Sequence, residues 1–314
     1  MGANIMSNIA PAVVAAASTN IRPPVGEAWL VSDFSSDVAF VAGVPDLEVR
    51  MTDGATMGIF LRDPTTDPGK RTRQYKLYLT NALYATITNT GGGNANLGFI
   101  AERVNINNVR SGEMTIGATS YGIVQPPVGE TWEITEWGTN PFTVAGDFNP
   151  ACEVGLTDGV LILSRITLPT QARAQNKQPR IIINNDVYLN VYSTPGCEFY
   201  YSAIRIPETS ISSVTDVVGS ANLDILPPIG DEWVITEIGA ETWAGAGAPA
   251  DLPDVIASLR TTVNSEFMEN GALLSVRWNT DAIFKIDRTR YLRITENSAG
   301  NNEVCISGYL QRSY

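Results

Sequence analysis

One nine-residue stretch is written three times in this chain, and that repetition constrains the fold more than any other feature. Pro23-Pro24-Val25-Gly26-Glu27-Ala28-Trp29-Leu30-Val31 returns as Pro126-Pro127-Val128-Gly129-Glu130-Thr131-Trp132-Glu133-Ile134. It returns again as Pro227-Pro228-Ile229-Gly230-Asp231-Glu232-Trp233-Val234-Ile235. The first prolines, Pro23, Pro126 and Pro227, are 103 and 101 residues apart. Units of that size each hold a core of their own, so the chain reads as tandem domains rather than a solenoid. The boundaries fall in polar stretches without helical periodicity and predict three domains, 1–106, 107–207 and 208–314.

The motif has a physical reading. Two prolines force extended backbone on themselves and on the residue before them. Gly26, Gly129 and Gly230 then allow a turn with positive φ. The residues after the turn alternate, with Trp29, Val31 and Asp33 on one side and Leu30 and Ser32 on the other. That period of two predicts a half-buried strand anchored in a core by Trp29, Trp132 or Trp233. The alternative role for a tryptophan at that place is a sugar-stacking platform.

Further along, Asp53-Gly54 and Asp158-Gly159 sit between apolar runs and predict hairpins, whereas the third repeat lacks them near Leu252–Val263. Tyr84, Tyr188 and Tyr291 recur late in each repeat, each after a short Asn- or Asp-bearing turn between two strands. The long polar connections after the hairpins read as loops and carry Lys70, Arg71, Arg73, Arg173 and Lys177. Basic loops on an acidic chain are usually just solvated, and the alternative is contact with an acidic partner surface. The entry segments Ala12–Arg22, Met114–Gln125 and Val214–Leu226 read as linker plus first strand. Each repeat thus contains about eight short strands and no amphipathic helix. The fold class is all-β: three antiparallel two-sheet sandwiches, with a jelly roll as the preferred strand order and an immunoglobulin-like order as the alternative.

Chemistry is scarce. The sequence has no histidine, which removes serine and cysteine triads, His-ligated metals and the usual base near neutral pH. Glu27, Glu130 and Asp231 recur in the turn before each Trp, where turn amides explain them better than a paired-carboxylate glycosidase does. The expectation is a protein that is not an enzyme and needs no cofactor or metal. A net charge of −12 argues against nucleic acid as a partner. The charge is uneven: residues 1–106 carry 8 basic and 9 acidic side chains, 107–207 carry 6 and 9, and 208–314 carry 7 and 15. The three units therefore face different surroundings. Cys152, Cys197 and Cys305 do not recur with the repeat and read as buried thiols, with a Cys152–Cys197 pair as the weaker alternative. The Ala10–Ala17 run lacks the basic start of a signal peptide, and no run reaches the length of a membrane span, so no membrane partner is expected.

The Pro-Pro-x-Gly-Glu-x-Trp-x-Ile entry and a closing strand such as Cys305-Ile306-Ser307-Gly308-Tyr309-Leu310 resemble small jelly-roll units of tailed-bacteriophage virion proteins. Such units serve as head decoration (cement) proteins, head fibres and tail appendages. The resemblance covers the entry and closing segments of all three repeats, less their middles, and transfers no binding residue. It implies a structural protein of the virion, made in the host cytoplasm, whose partners are the major capsid protein or other virion proteins. A decoration protein bridging subunits on the capsid surface is the first expectation. A tail, baseplate or fibre component is the second, and a carbohydrate-binding protein with glycans as partner is the third. Three tandem copies can also form a pseudo-threefold body suited to a threefold point of an icosahedral lattice.

Overall fold

The computed structural model describes residues 5–13, 17–36, 47–55, 57–62, 71–89, 95–140, 153–159, 162–167, 181–193, 196–207, 213–218, 222–242, 255–261, 266–273, 284–296 and 301–311. Apart from one 3-10 turn, every regular element among them is a strand. The first unit comprises β1 (Ile5–Val13), β2 (Ser18–Ile21), β3 (Ala28–Ser36), β4 (Leu47–Thr52), β5 (Met57–Arg62), β6 (Arg71–Thr80), β7 (Tyr84–Asn89) and β8 (Ala95–Val104). The second comprises β9 (Gly112–Ile116), β10 (Ser120–Val124), β11 (Thr131–Asn140), β12 (Glu153–Thr157), β13 (Ile162–Thr167), β14 (Ile181–Ile183), β15 (Tyr188–Ser193) and β16 (Cys197–Ile206). The third comprises β17 (Ser213–Val218), β18 (Asn222–Ile225), β19 (Glu232–Thr242), β20 (Val255–Thr261), β21 (Glu266–Leu273), β22 (Phe284–Ile286), β23 (Arg290–Glu296) and β24 (Asn301–Gln311).

The strand order decides the topology. In every unit the first, eighth, third and sixth strands form one antiparallel sheet: β1-β8-β3-β6, β9-β16-β11-β14 and β17-β24-β19-β22. The second, seventh, fourth and fifth strands form the other: β2-β7-β4-β5, β10-β15-β12-β13 and β18-β23-β20-β21. That is the eight-stranded jelly roll, three times over, and the immunoglobulin-like order is excluded. The hairpins expected at Asp53-Gly54 and Asp158-Gly159 are β4–β5 and β12–β13, with glycine φ values of 103° and 91°.

Two readings change. The entry segments hold parts of two strands rather than one. In the second unit a turn at Gly117–Thr119, with Thr119 at φ 56°, separates β9 from β10 and sends them to opposite sheets. Arg71 and Arg73 are not in a loop. They begin β6, because the long β3 offers backbone partners as far as Ser36, opposite Arg71. Lys70, Arg173, Lys177 and Cys152 lie outside the described residues.

Each sandwich packs its inner faces together. One cluster gathers Ile21, Val31, Val49, Met51, Leu77, Leu79, Ala85 and Ile87 from the first unit. The other gathers Ile134, Val154, Leu156, Ile181, Ile183, Leu189, Val191 and Phe199 from the second. Cys197 is buried as a thiol at the start of β16. Burying each large aliphatic side chain contributes about 1.5–3 kcal/mol, which makes these clusters the main source of stability.

The units also meet one another, always by the same parts. The β5–β6 edge of the first unit packs on β11 and β16 of the second, and the β13–β14 edge of the second packs on β19 and β24 of the third. In the first junction β5 joins the β11 edge through the pair Ile59–Thr139, making one continuous sheet across two units. Tyr200 on β16 is fully buried and lies in the core cluster of the first unit. A pseudo-threefold body would need β21–β22 packed on β3–β8, and among the described elements no such packing on the scale of the two junctions occurs.

Candidate interaction surfaces

The repeated motif forms the same rigid turn in each unit. Glu27 N donates to Pro24 O at 3.0 Å, Glu130 N to Pro127 O at 3.0 Å, and Asp231 N to Pro228 O at 3.1 Å. Gly26, Gly129 and Gly230 take φ values of 84°, 83° and 94°, the left-handed conformation that the third residue of a type II turn requires. The first proline of each pair (Pro23, Pro126, Pro227) is buried and the second (Pro24, Pro127, Pro228) is exposed.

Side chains from the β6–β7 turn and its counterparts pin this turn in place. Asn81 Nδ2 donates to Pro23 O at 2.8 Å and Asn185 Nδ2 to Pro126 O at 3.1 Å, while Arg288 does the same for Pro227 O at 3.4 Å. From the other side Trp29 Nε1 donates to Glu27 at 3.1 Å, and Trp132 Nε1 to Glu130 at 2.7 Å. Glu130 is also gripped by Arg110 through two 2.8 Å bonds and by Arg205 at 3.5 Å. The Arg110 hydrogen bonds are the largest cause holding its carboxyl down at about 2. Arg110 itself is set by the anchored linker, where Asn105 caps the 3-10 turn by accepting from Asn107 N at 3.0 Å. The Glu27 and Glu130 carboxylates are therefore parts of the turn scaffold.

What this scaffold presents is an apolar side chain. Val25, Val128 and Ile229 occupy the second position of the three turns and are 86%, 84% and 86% exposed. A fixed backbone holding an aliphatic group in water at three equivalent places is a preorganised contact, because docking it costs little conformational entropy. The signal was present in the sequence as the variable residue between Pro-Pro and Gly, always Val or Ile, but nothing local distinguished it from a core residue.

The tryptophans do not form a shared platform. Trp132 is buried, whereas Trp29 and Trp233 are half-buried, and Trp29 stacks against Phe99 with ring centroids 6.4 Å apart. Trp137 is half-buried against the second core. Tyr84, Tyr188 and Tyr291 are buried beside their turns. A Cβ added to Gly159 would meet the Tyr188 hydroxyl at 2.9 Å, which explains Gly there beyond its turn geometry. Arg71 and Arg73 fall opposite Ser36 and Phe34 on β6, so two of the five basic candidates sit on an edge strand. Among the described residues no three Cys, Asp or Glu side chains come together as a metal site requires.

The junction between the first two units is a second surface, and it is polar. Lys76 O on β6 accepts from Thr135 Oγ1 at 2.5 Å and from Ser202 Oγ at 3.0 Å. Tyr78 N donates to Ser202 Oγ at 2.8 Å, and Tyr78 O accepts from Ser111 Oγ at 2.7 Å. Thr135 is the extra residue of a β-bulge on β11, and the same bulge recurs at Ser32 and Thr236. The bulge turns a hydroxyl out of its own sheet toward the neighbouring edge strand. Sequence reading missed this latch because the bulge breaks the alternation it relied on. Next to it, Glu136 has its Oε1 buried without a hydrogen-bond partner among the described residues, while Lys76 N donates to its carboxyl. Burial pushes this carboxyl up to about 8, against a smaller opposing effect of Lys76.

No family model and no curated protein matches the chain. Among solved structures, a chain from the atomic structure of Sulfolobus Turreted Icosahedral Virus is similar over 100% of this chain and 91% of its own, with 11% identity and a TM-score of 0.25. A second, described with a triple jelly roll fold and turret assembly in an archaeal virus, is similar over 99% of this chain and 89% of its own, with 12% identity and a TM-score of 0.23. At those scores the likeness lends no weight to a function.

Proposed function

We propose that the chain is a non-enzymatic structural protein of a virus particle, seated on the outer shell as a decoration or cement protein that bridges capsid subunits. The observation that carries this reading is the set of three apolar tips, Val25, Val128 and Ile229, each displayed by the same pinned turn on its own jelly roll. Three equal contacts on one chain suit a partner that offers the same pocket several times, as a capsid lattice does. The domains are 1–106, 107–207 and 208–314. The basic residues Lys70, Arg71, Arg73, Arg173 and Lys177 are a further contact with an acidic partner surface. A tailed bacteriophage is the expectation from sequence style, whereas the similar solved chains are from an archaeal virus.

The experiment is a binding assay of the purified chain on particles stripped of it. Replacing Val25, Val128 and Ile229 together by Asp should leave the fold intact and abolish attachment. Unchanged attachment overturns the role of the tips. Copy number per particle tests the location: hundreds of copies fit the shell, and a few to dozens refute it. The low number would favour the second reading, a tail or fibre component, which the open head-to-tail packing of the units also suits.

A further inference from the structure

We infer that the chain binds a second copy of itself head to tail, placing the β21–β22 edge of one molecule on the β3–β8 face of the next. The same contact is already built twice inside the chain, as the β5–β6 edge on β11–β16 and the β13–β14 edge on β19–β24. Its two unused halves are the β21–β22 edge of the third unit and the β3–β8 face of the first. A heterologous contact that does not close within one molecule is completed by the next copy.

Register identifies the matching positions. Tyr78, Ile182 and Lys285 are the residues on the sixth strands opposite Leu30, Glu133 and Val234. Tyr78 is 8% exposed and Ile182 0%, each at a covered edge, whereas Lys285 is exposed. On the receiving side, Ile100 takes the place of Ser202, since they pair with Asp33 and Glu136 after the same bulge. Ser202 is fully buried under the first unit, but Ile100 is 44% exposed. Both ends of the array therefore show the contact uncovered.

The exposed Lys285 and the half-buried Glu102 complement each other in charge. Glu102 pairs with Leu30 on the receiving face, as Ile204 pairs with Glu133 in the second unit. Tyr78 reaches the second unit beside Ser202 and Ala203, the neighbours of Ile204, with Ser111 bridging Tyr78 O and Ala203 N. Carried over to the next copy, that geometry brings Lys285 to Glu102. A Lys–Glu pair beside Ile100 makes a contact between copies weaker and more salt-sensitive than the buried contacts inside the chain. The strand pairing of β5 with β11 is not repeated, because β6 already covers β3 as far as Ser36. The junction between the second and third units shows packing of the same parts with no such pairing among the described strands.

The test is sedimentation velocity on the full chain at micromolar concentrations, with circular dichroism melts as a control on folding. The wild type should show concentration-dependent association that weakens with salt. Lys285→Glu and Glu102→Lys should each raise the dissociation constant by about fivefold or more, and the double swap should restore it, since each copy then offers the reversed pair. A wild type that stays monomeric overturns the inference. So does association that neither single variant weakens, or that the double swap fails to restore. None of these outcomes depends on attachment to a virus particle.

Discussion

Glu136→Gln tests the polar junction between the first two units most sharply. In the folded chain burial holds this carboxyl protonated up to about 8, while an ordinary glutamate releases its proton near 4.5. An acid whose folded value is raised binds more protons in the folded state between those two values, so stability falls as pH rises through that window. Each pH unit costs about 1.4 kcal/mol, and the whole window about 5 kcal/mol. At pH 7 the wild type has lost about 3 kcal/mol of this, whereas glutamine keeps an acceptor for Lys76 N and never ionises. The buried amide has extra donors to satisfy, at about 1–2 kcal/mol, so the net gain for the variant at pH 7 is about 1–2 kcal/mol. Urea melts of both proteins at pH 5, 6, 7 and 8 measure the difference, which should grow steadily with pH and favour the variant at the top. A difference that stays constant from pH 5 to 8 would refute the reasoning, because it would mean Glu136 titrates as if exposed.

Further predictions rest on other contacts. Ser202→Ala removes the hydroxyl that accepts from Tyr78 N and one of two donors to Lys76 O, so it should cost about 1–3 kcal/mol in chemical denaturation and loosen the first junction before the sandwiches melt. Gly129→Ala meets no neighbouring atom but imposes φ 83° on a residue with a Cβ; the expected loss is about 1 kcal/mol, and a Gly129→Asn variant should recover part of it. Arg110→Ala removes the main cause of the low Glu130 value, and an NMR titration should find that carboxyl moving up toward the ordinary glutamate range. Gly159→Ala should cost more than Gly54→Ala, since the added Cβ meets the Tyr188 hydroxyl at 2.9 Å in one case and the Tyr84 hydroxyl at 3.5 Å in the other.

The count of units, their all-β class and the turn before each tryptophan were legible in the sequence, because they depend on local chemistry. Proline and glycine dictate backbone angles wherever they stand, and alternation at a period of two marks a strand without reference to its partners. The strand order was not legible, since a jelly roll and an immunoglobulin-like sandwich draw on the same strands and differ only in which edges meet. Placement of Arg71 and Arg73 shows the same limit: a run rich in charge and Thr reads as loop until the length of β3 supplies it with backbone partners. The exposure of Val25, Val128 and Ile229, and the burial of Thr135, Ser202 and the Glu136 Oε1, run opposite to what their side chains suggest alone. Local sequence decided that each turn and bulge would form. Only the packing of one sandwich on the next decided which residues faced water, because burial belongs to the surface a neighbour covers and not to the residue itself.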